Sequence, residues 1–199
     1  VTEQSARGLQ VESPVATPWL WAAVAGQGGA QVAYDPALLT FQVLGAGTDL
    51  TAALTTPVLA LVVIAVAVRG VSEVRLLPVL ALALVMSLVL VNKVGSPQLA
   101  SWVVVPVILG LLLQRRGGES FVVPAVLALA IAASTQVVYP VLYERLLALD
   151  PVLVLVLTVR NLLYLALWAW AVSRLAGLLR DPRRSGAYDS RKLTEGASS

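Results

Sequence analysis

The chain has 199 residues, 58% of them hydrophobic and only 13% charged, and a mean hydropathy of +0.85. Soluble domains carry charge at about a quarter of their positions, so the composition specifies an integral membrane protein. Without cysteine or histidine, it excludes disulfides, thiol chemistry, zinc sites of the usual ligands and histidine acid–base catalysis. The net charge of +3 does not imply nucleic-acid binding, because in such a protein the placement of Lys and Arg matters more than their sum.

The elements follow in chain order. Residues 1 to 5 are polar, with neither a signal peptide's apolar core nor a leading span. Ser13-Pro14 is a cap-plus-proline helix signal, and the apolar stretch that it opens ends near Ala25. That is too short to cross a bilayer, which takes ~20 residues. With Trp19 and Trp21 it suits an extracytoplasmic interfacial or re-entrant helix. Ala30 to Tyr34 and Thr40 to Leu44 flank Asp35-Pro36 and read as a short hairpin. Asp49 or Thr51 then caps a first span over about Leu50 to Val68, which Pro57 bends. A basic turn, Arg69 to Arg75, leads to a second span over Leu76 to Val91.

That span ends at a polar heptad, Asn92-Lys93-Val94-Gly95-Ser96-Pro97-Gln98. Ser96-Pro97 repeats the helix-start signal, and a third span runs from Pro97 to Leu113. A helix N-terminus beside the Lys93 ammonium attracts anions, phosphate above all; the plainer reading of Lys93 is a lysine snorkelling from a helix end. After the basic turn Gln114 to Gly118, a fourth span covers Phe121 to Leu142, and a fifth opens at the Asp150-Pro151 cap and runs to about Val172. Arg160 lies about 14 Å along it at ~1.5 Å per residue, near midplane, where an ionised group is costly and usually functional. Asn161 and Tyr164 extend an intramembrane polar stripe from it, with a structural hydrogen bond to Thr135 or Gln136 as the alternative role. The tail is polar and expected to be disordered.

The basic residues orient the bundle. Arg69, Arg75, Arg115, Arg116, Arg174, Arg180, Arg183, Arg184, Arg191 and Lys192 fall on one side, against Arg7, Lys93 and Arg145 on the other. The first side is cytoplasmic. The expected organisation is all-α and polytopic, with an extracytoplasmic segment over 1–49, a bundle of about five transmembrane helices over 50–178, and a disordered cytoplasmic tail over 179–199.

Read together with Leu99-Ala100-Ser101-Trp102, the heptad resembles the Lys-Val-aromatic-Ser-Pro-Gln-aromatic segment of the GT-C superfamily, in its branch of actinobacterial polyprenol-phosphate-mannose-dependent mannosyltransferases. Arg7-Gly8-Leu9-Gln10-Val11-Glu12-Ser13 is similar to a segment that precedes an extracytoplasmic helix in those enzymes. Gly95 and Leu99 stand where the family usually has aromatics. The resemblance implies a bacterial plasma-membrane glycosyltransferase that moves mannose, or another sugar, from a polyprenyl-phosphate donor to an extracytoplasmic glycan or lipoglycan. It places Asn92, Lys93, Ser96 and Gln98 at the donor phosphate and Arg7, Gln10 and Glu12 on the substrate side. Without the resemblance, Arg7 and Glu12 read as a surface ion pair worth little. No cofactor is expected, because Lys93 and the helix N-terminus could carry the leaving-group charge; a divalent ion remains open.

In that family the catalytic carboxylate follows a membrane helix that would precede residue 1. Glu12, Asp35, Asp49, Glu144 and Asp150 each have a simpler reading here, as motif, turn, cap or ion-pair residues. The chain is therefore expected to be the C-terminal portion of the enzyme, with no catalytic residue of its own, inactive alone and partnered by a missing N-terminal half. A non-catalytic membrane subunit and a small transporter, hinted at by Pro57 and Arg160, are the alternatives.

Overall fold

A computed structural model describes residues 8–68 and 76–180, the side chains as far as 177. Arg7, the basic turn 69–75 and the tail from 181 onward lie outside the described residues. Helix dominates. The chain begins with strand β1 (Leu9–Gln10), a 3-10 turn (Pro14–Ala16) and helix α1 (Thr17–Val24), followed by β2 (Gln31–Asp35) and β3 (Thr40–Leu44). Then come α2 (Thr48–Ala67), α3 (Leu77–Val91), α4 (Gln98–Ser101), α5 (Val104–Gln114) and α6 (Val122–Gln136). A π turn (Val137–Val141), α7 (Tyr143–Leu147) and α8 (Pro151–Arg180) complete it.

The hairpin expected from the sequence forms, with Tyr34 opposite Phe41 and Val32 opposite Val43. Asp35 closes it: one carboxylate oxygen accepts the N–H groups of Ala37 and Leu38 and the other the Gln42 amide, which is the local work of Asp in a turn. A third strand joins, since Leu9 and Gln10 pair antiparallel with Val43 and Gln42 in the order β1-β3-β2. The segment carrying the first family-like motif is thus part of the sheet.

Among the described residues, three helices are long and apolar enough to cross a membrane: Thr48–Ala67, Val122–Val141 and Pro151–Gly177. Their outer faces carry exposed Leu54, Leu61, Val126, Leu129, Leu155 and Leu162, as expected where lipid replaces water around a bundle. The other two apolar stretches, Leu77–Val91 and Gln98–Gln114, are shorter. At ~1.5 Å per residue α3 covers about 22 Å of a hydrocarbon layer near 30 Å thick.

The reason for the short pair lies in the packing. Buried side chains form two apolar clusters. One gathers Val79, Leu82, Met86, Phe121, Ile131, Leu167 and Leu175 from α3 and the ends of α6 and α8 nearest to it. The other gathers Leu9, Val11, Leu20, Val43, Val138, Leu146 and Leu157 from the sheet, α1, α7 and the beginning of α8. The three long helices reach both: Ala52 and Val66 of α2, Ile131 and Val138 around α6, Leu157 and Leu167 of α8. By contrast α3, α4 and α5 contribute only to the first. Above their turn, the volume is filled by the N-terminal strand and α1, which docks on α8 through the Trp21 indole N–H to Thr158 (2.9 Å).

Several helix starts differ from the sequence reading. Ser13 does not cap: its backbone is extended, the helix opens as a 3-10 turn, and its hydroxyl has no side-chain cap bond. Neither Asp49 nor Thr51 caps α2, which begins behind Gly47 in the left-handed region (φ 85°), while the Thr48 hydroxyl bonds back to Gly45. The third span starts one residue late and is broken at Trp102–Val103 into α4 and α5. The fourth leaves helical geometry at Tyr139 (φ −132°, ψ 127°), ahead of Pro140, which cannot donate to the helix ladder. Asp150 caps α8 as expected, accepting the Val152 N–H at 2.9 Å.

Candidate functional site

The two stretches singled out in the sequence, more than eighty residues apart, lie against each other. The Gln10 N–H donates to the Lys93 carbonyl (3.0 Å), and the Gly95 N–H donates to Gln10 Oε1 (3.0 Å). On the other edge of the same strand segment the Val11 N–H donates to the Phe41 carbonyl (3.2 Å). The heptad backbone thus continues the sheet edge, and the polar backbone of both irregular segments finds partners, as burial requires.

Gly95 makes the contact possible. A Cβ there would stand 2.1 Å from Ser13 N and 2.3 Å from the Glu12 carbonyl carbon, rigid backbone atoms that cannot swing aside. An aromatic side chain at this position does not fit the arrangement. Gly95→Ala should therefore force the segments apart and cost about 1–3 kcal/mol, the usual range for overpacking. Thermal unfolding of the purified variant in detergent checks this; an unchanged midpoint would show that the two backbones are not in contact.

Arg160 supports the junction from behind. It is 2% exposed and donates through Nη2 to the Glu12 carbonyl and through Nε and Nη2 to Asn161 Oδ1 (3.2 and 3.0 Å). The Asn161 amide donates to Thr17 Oγ1 (2.9 Å), whose own hydroxyl donates to the Pro14 carbonyl (2.8 Å). The guanidinium also sits over the Tyr164 ring at 5.5 Å, a cation–π distance. Arg160, Asn161 and Tyr164 form one network, as the stripe suggested. The partners of Arg160 are in the N-terminal segment instead of Thr135 or Gln136; Thr135 meets Tyr164. The level of Arg160 is the boundary between the two apolar clusters.

In front of this network opens a cleft of about 360 Å³, walled by the hairpin tip (Leu38 to Phe41), by Gln10 and Glu12, by Val94, Ser96 and Pro97, and by Tyr139 and Tyr143. A much smaller cavity of about 10 Å³ lies behind Glu12, bordered by Gly95, Ser96, Arg160 and Tyr164; it has room for no more than one water. A separate groove of about 290 Å³ between α2 and α8, at Val62, Val66, Trp168 and Leu175, is apolar and lacks polar groups that could orient a reacting molecule. The cleft has them.

Glu12 is 7% exposed, so the surface ion-pair reading of it fails. Burial raises its carboxyl above the ordinary range, against the Tyr143 hydroxyl bonded to it and the more distant Arg160 charge, which both pull it down. The same burial and the Glu12 charge push Tyr143 far above the usual phenol range, so Tyr143 stays a hydrogen-bond donor. A carboxyl with a raised folded-state value makes stability fall as pH climbs from the ordinary carboxylate range to that raised value.

The four heptad residues expected at a donor phosphate separate. Ser96 lines the cleft, whereas Asn92, Lys93 and Gln98 do not. Asn92 turns its Oδ1 to the Val94 N–H (3.0 Å), which shapes the bend. Lys93 is buried, and Gln98 is exposed. Ser96 Oγ accepts the Gln98 N–H at a long 3.4 Å, and the helix behind it is only the four residues of α4. The expected pull of a full helix dipole on an anion loses its basis there, because the aligned peptides are too few. Tyr143 and the hairpin tip were missed in the sequence; no spacing links residue 143 to residue 12.

No family model matches this chain, nor does any curated protein or solved structure.

Proposed function

We propose that the chain is the C-terminal membrane portion of a GT-C-type glycosyltransferase, and that the junction of its two family-like stretches is where a polyprenyl-phosphate sugar is held for transfer to an extracytoplasmic glycan or lipoglycan. One observation carries the reading. The two short stretches on which the resemblance rests come together at one polar cleft, joined by the Gln10–Lys93 and Gly95–Gln10 hydrogen bonds.

In this reading the hairpin, the heptad and the 143–150 loop face the outside of a plasma membrane and the C-terminus faces the cytoplasm, as the distribution of Arg and Lys favours. The helices α3 and α4–α5 are shortened spans that turn at the cleft, giving five in all between the segment 1–49 and the tail 179–199. Irregular backbone at such a depth is tolerated where it is covered by protein or lines a cavity. Ser96 and Lys93 are assigned to the donor phosphate, Ser96 from the cleft wall and Lys93, which does not line the cleft, through its charge; Gln10 and Glu12 are assigned to the sugar from the cleft wall, and Arg7 by the resemblance alone.

Native mass spectrometry of the purified chain tests this. A phosphorylated prenol should stay bound through detergent exchange. A chain that retains only ordinary phospholipid would instead be a non-catalytic membrane subunit.

A further inference from the structure

We infer that Glu12 is the group that takes the proton from the acceptor hydroxyl. The inference rests on the transfer proposed above and departs from what the resemblance implies, which puts that carboxylate ahead of residue 1.

The carboxylates on this side of the protein separate by what already occupies them. Both oxygens of Asp35 are bonded within the hairpin turn. Asp150 is engaged by Arg145 and by the first turn of α8. Asp49 and Glu144 are exposed and do not line the cleft. Glu12 does line it, and also borders the water-sized cavity behind.

Its placement has what a general base needs. The backbone at Glu12 is fixed from two sides, by Arg160 on its carbonyl and by Gly95 packed against it. Arg160 is hydrogen-bonded to that carbonyl and to Asn161, which leaves the carboxylate outside a direct ion pair. The Tyr143 hydroxyl lines the same cleft and acts on the carboxyl from that side. The titratable groups around it are Tyr139 and Tyr143 on the cleft side and Arg160 and Tyr164 behind. Burial raises the carboxyl toward the working pH, where a base both is ionised and accepts protons effectively.

The step balances. The acceptor hydroxyl proton passes to a Glu12 Oε as the acceptor oxygen bonds to the anomeric carbon. The bond from that carbon to the phosphate oxygen breaks, and its electron pair leaves with the phosphate. Glu12 then releases the proton to water in the cleft.

The test uses the 199-residue chain in nanodiscs, with polyprenyl-phosphate-mannose as donor and octyl α-mannoside as the acceptor probe. Native chain should transfer mannose, with kcat/KM rising with pH through a value above the ordinary carboxylate range. Glu12→Gln should lose at least ~100-fold in turnover while retaining donor in native mass spectrometry, and Glu12→Asp should keep part of the rate with a shifted pH limb. Transfer by Glu12→Gln within about tenfold of native chain, an unshifted limb in Glu12→Asp, or a native chain that retains donor without transferring it would each overturn the inference alone. A native chain that retains no donor would overturn the transfer reading, and this with it.

Discussion

Arg160→Leu should lower the stability of the purified protein by roughly 3 kcal/mol or more. The substitution withdraws the donors from the Glu12 carbonyl and from Asn161 Oδ1, both held in the junction, and each buried polar group left without a partner costs about 1–3 kcal/mol. Leucine also fills less space over the Tyr164 ring, adding a cavity term. Arg160→Lys should be nearly as harmful, since an ammonium cannot reproduce the planar set of donors that reaches the carbonyl and Asn161 together. Arg145→Leu is the control. Its side chain is 58% exposed and pairs with Asp150 at the start of α8, an arrangement that salt and water weaken. Thermal unfolding in detergent, followed by tryptophan fluorescence, should show a large drop in midpoint for Arg160→Leu and little change for Arg145→Leu. Equal tolerance of both would mean that Arg160 reaches water.

Lys93→Ala should reduce sugar transfer at least ~100-fold while leaving the fold in place. The bond that joins the heptad to β1 uses the Lys93 carbonyl, which alanine keeps. What is lost is the charge of a buried side chain in the same heptad as Val94 and Ser96 of the cleft wall. If that charge supports the phosphate as it leaves, its removal forfeits several kcal/mol of transition-state stabilisation, on the order of 2.7 to 4 by analogy with a single oxyanion donor, and each ~1.4 kcal/mol is tenfold in rate. The effect should fall on kcat more than on KM, because charge on the leaving oxygen grows as the bond breaks. Near-normal turnover by Lys93→Ala would return Lys93 to the role of a lysine near a helix end.

Local signals carried far along this chain. The composition, the hairpin around Asp35 and the Asp150 cap are decided by neighbours in sequence, and each is found where its residues put it. The errors cluster where the deciding partner is remote. Ser13 carries a cap signal, yet its backbone is held against Gly95 and its hydroxyl is the one buried side-chain oxygen among the described residues with no hydrogen-bond partner. For Arg160 the sequence offers a functional role or, as the alternative, a bond to Thr135 or Gln136 on the neighbouring span, because a charge in an apolar run suggests a helix-to-helix bond. Its partner is a main-chain carbonyl contributed by the N-terminal segment, and a main-chain acceptor leaves no mark on residue identity. The shortening of α3 likewise follows from what fills the space beyond Val91, which the apolar pattern of Leu77 to Val91 cannot reveal. Of the candidate site, Gln10, Glu12 and Ser96 were legible through their motifs; Tyr143 and the hairpin tip enter only through folding.

The central claim is that residues 10–12 and 94–97 form one site for a phosphorylated prenol. Photo-crosslinking tests it most directly, with a polyprenyl phosphate carrying a diazirine on the isoprene unit next to the phosphate, added to the 199-residue chain in nanodiscs and mapped by peptide mass spectrometry. The account predicts adducts in both segments and on Tyr139 or Tyr143, competed by unlabelled polyprenyl phosphate and reduced in Lys93→Ala. Adducts confined to the lipid-facing sides of α2, α5 or α6, unaffected by competitor, would contradict it.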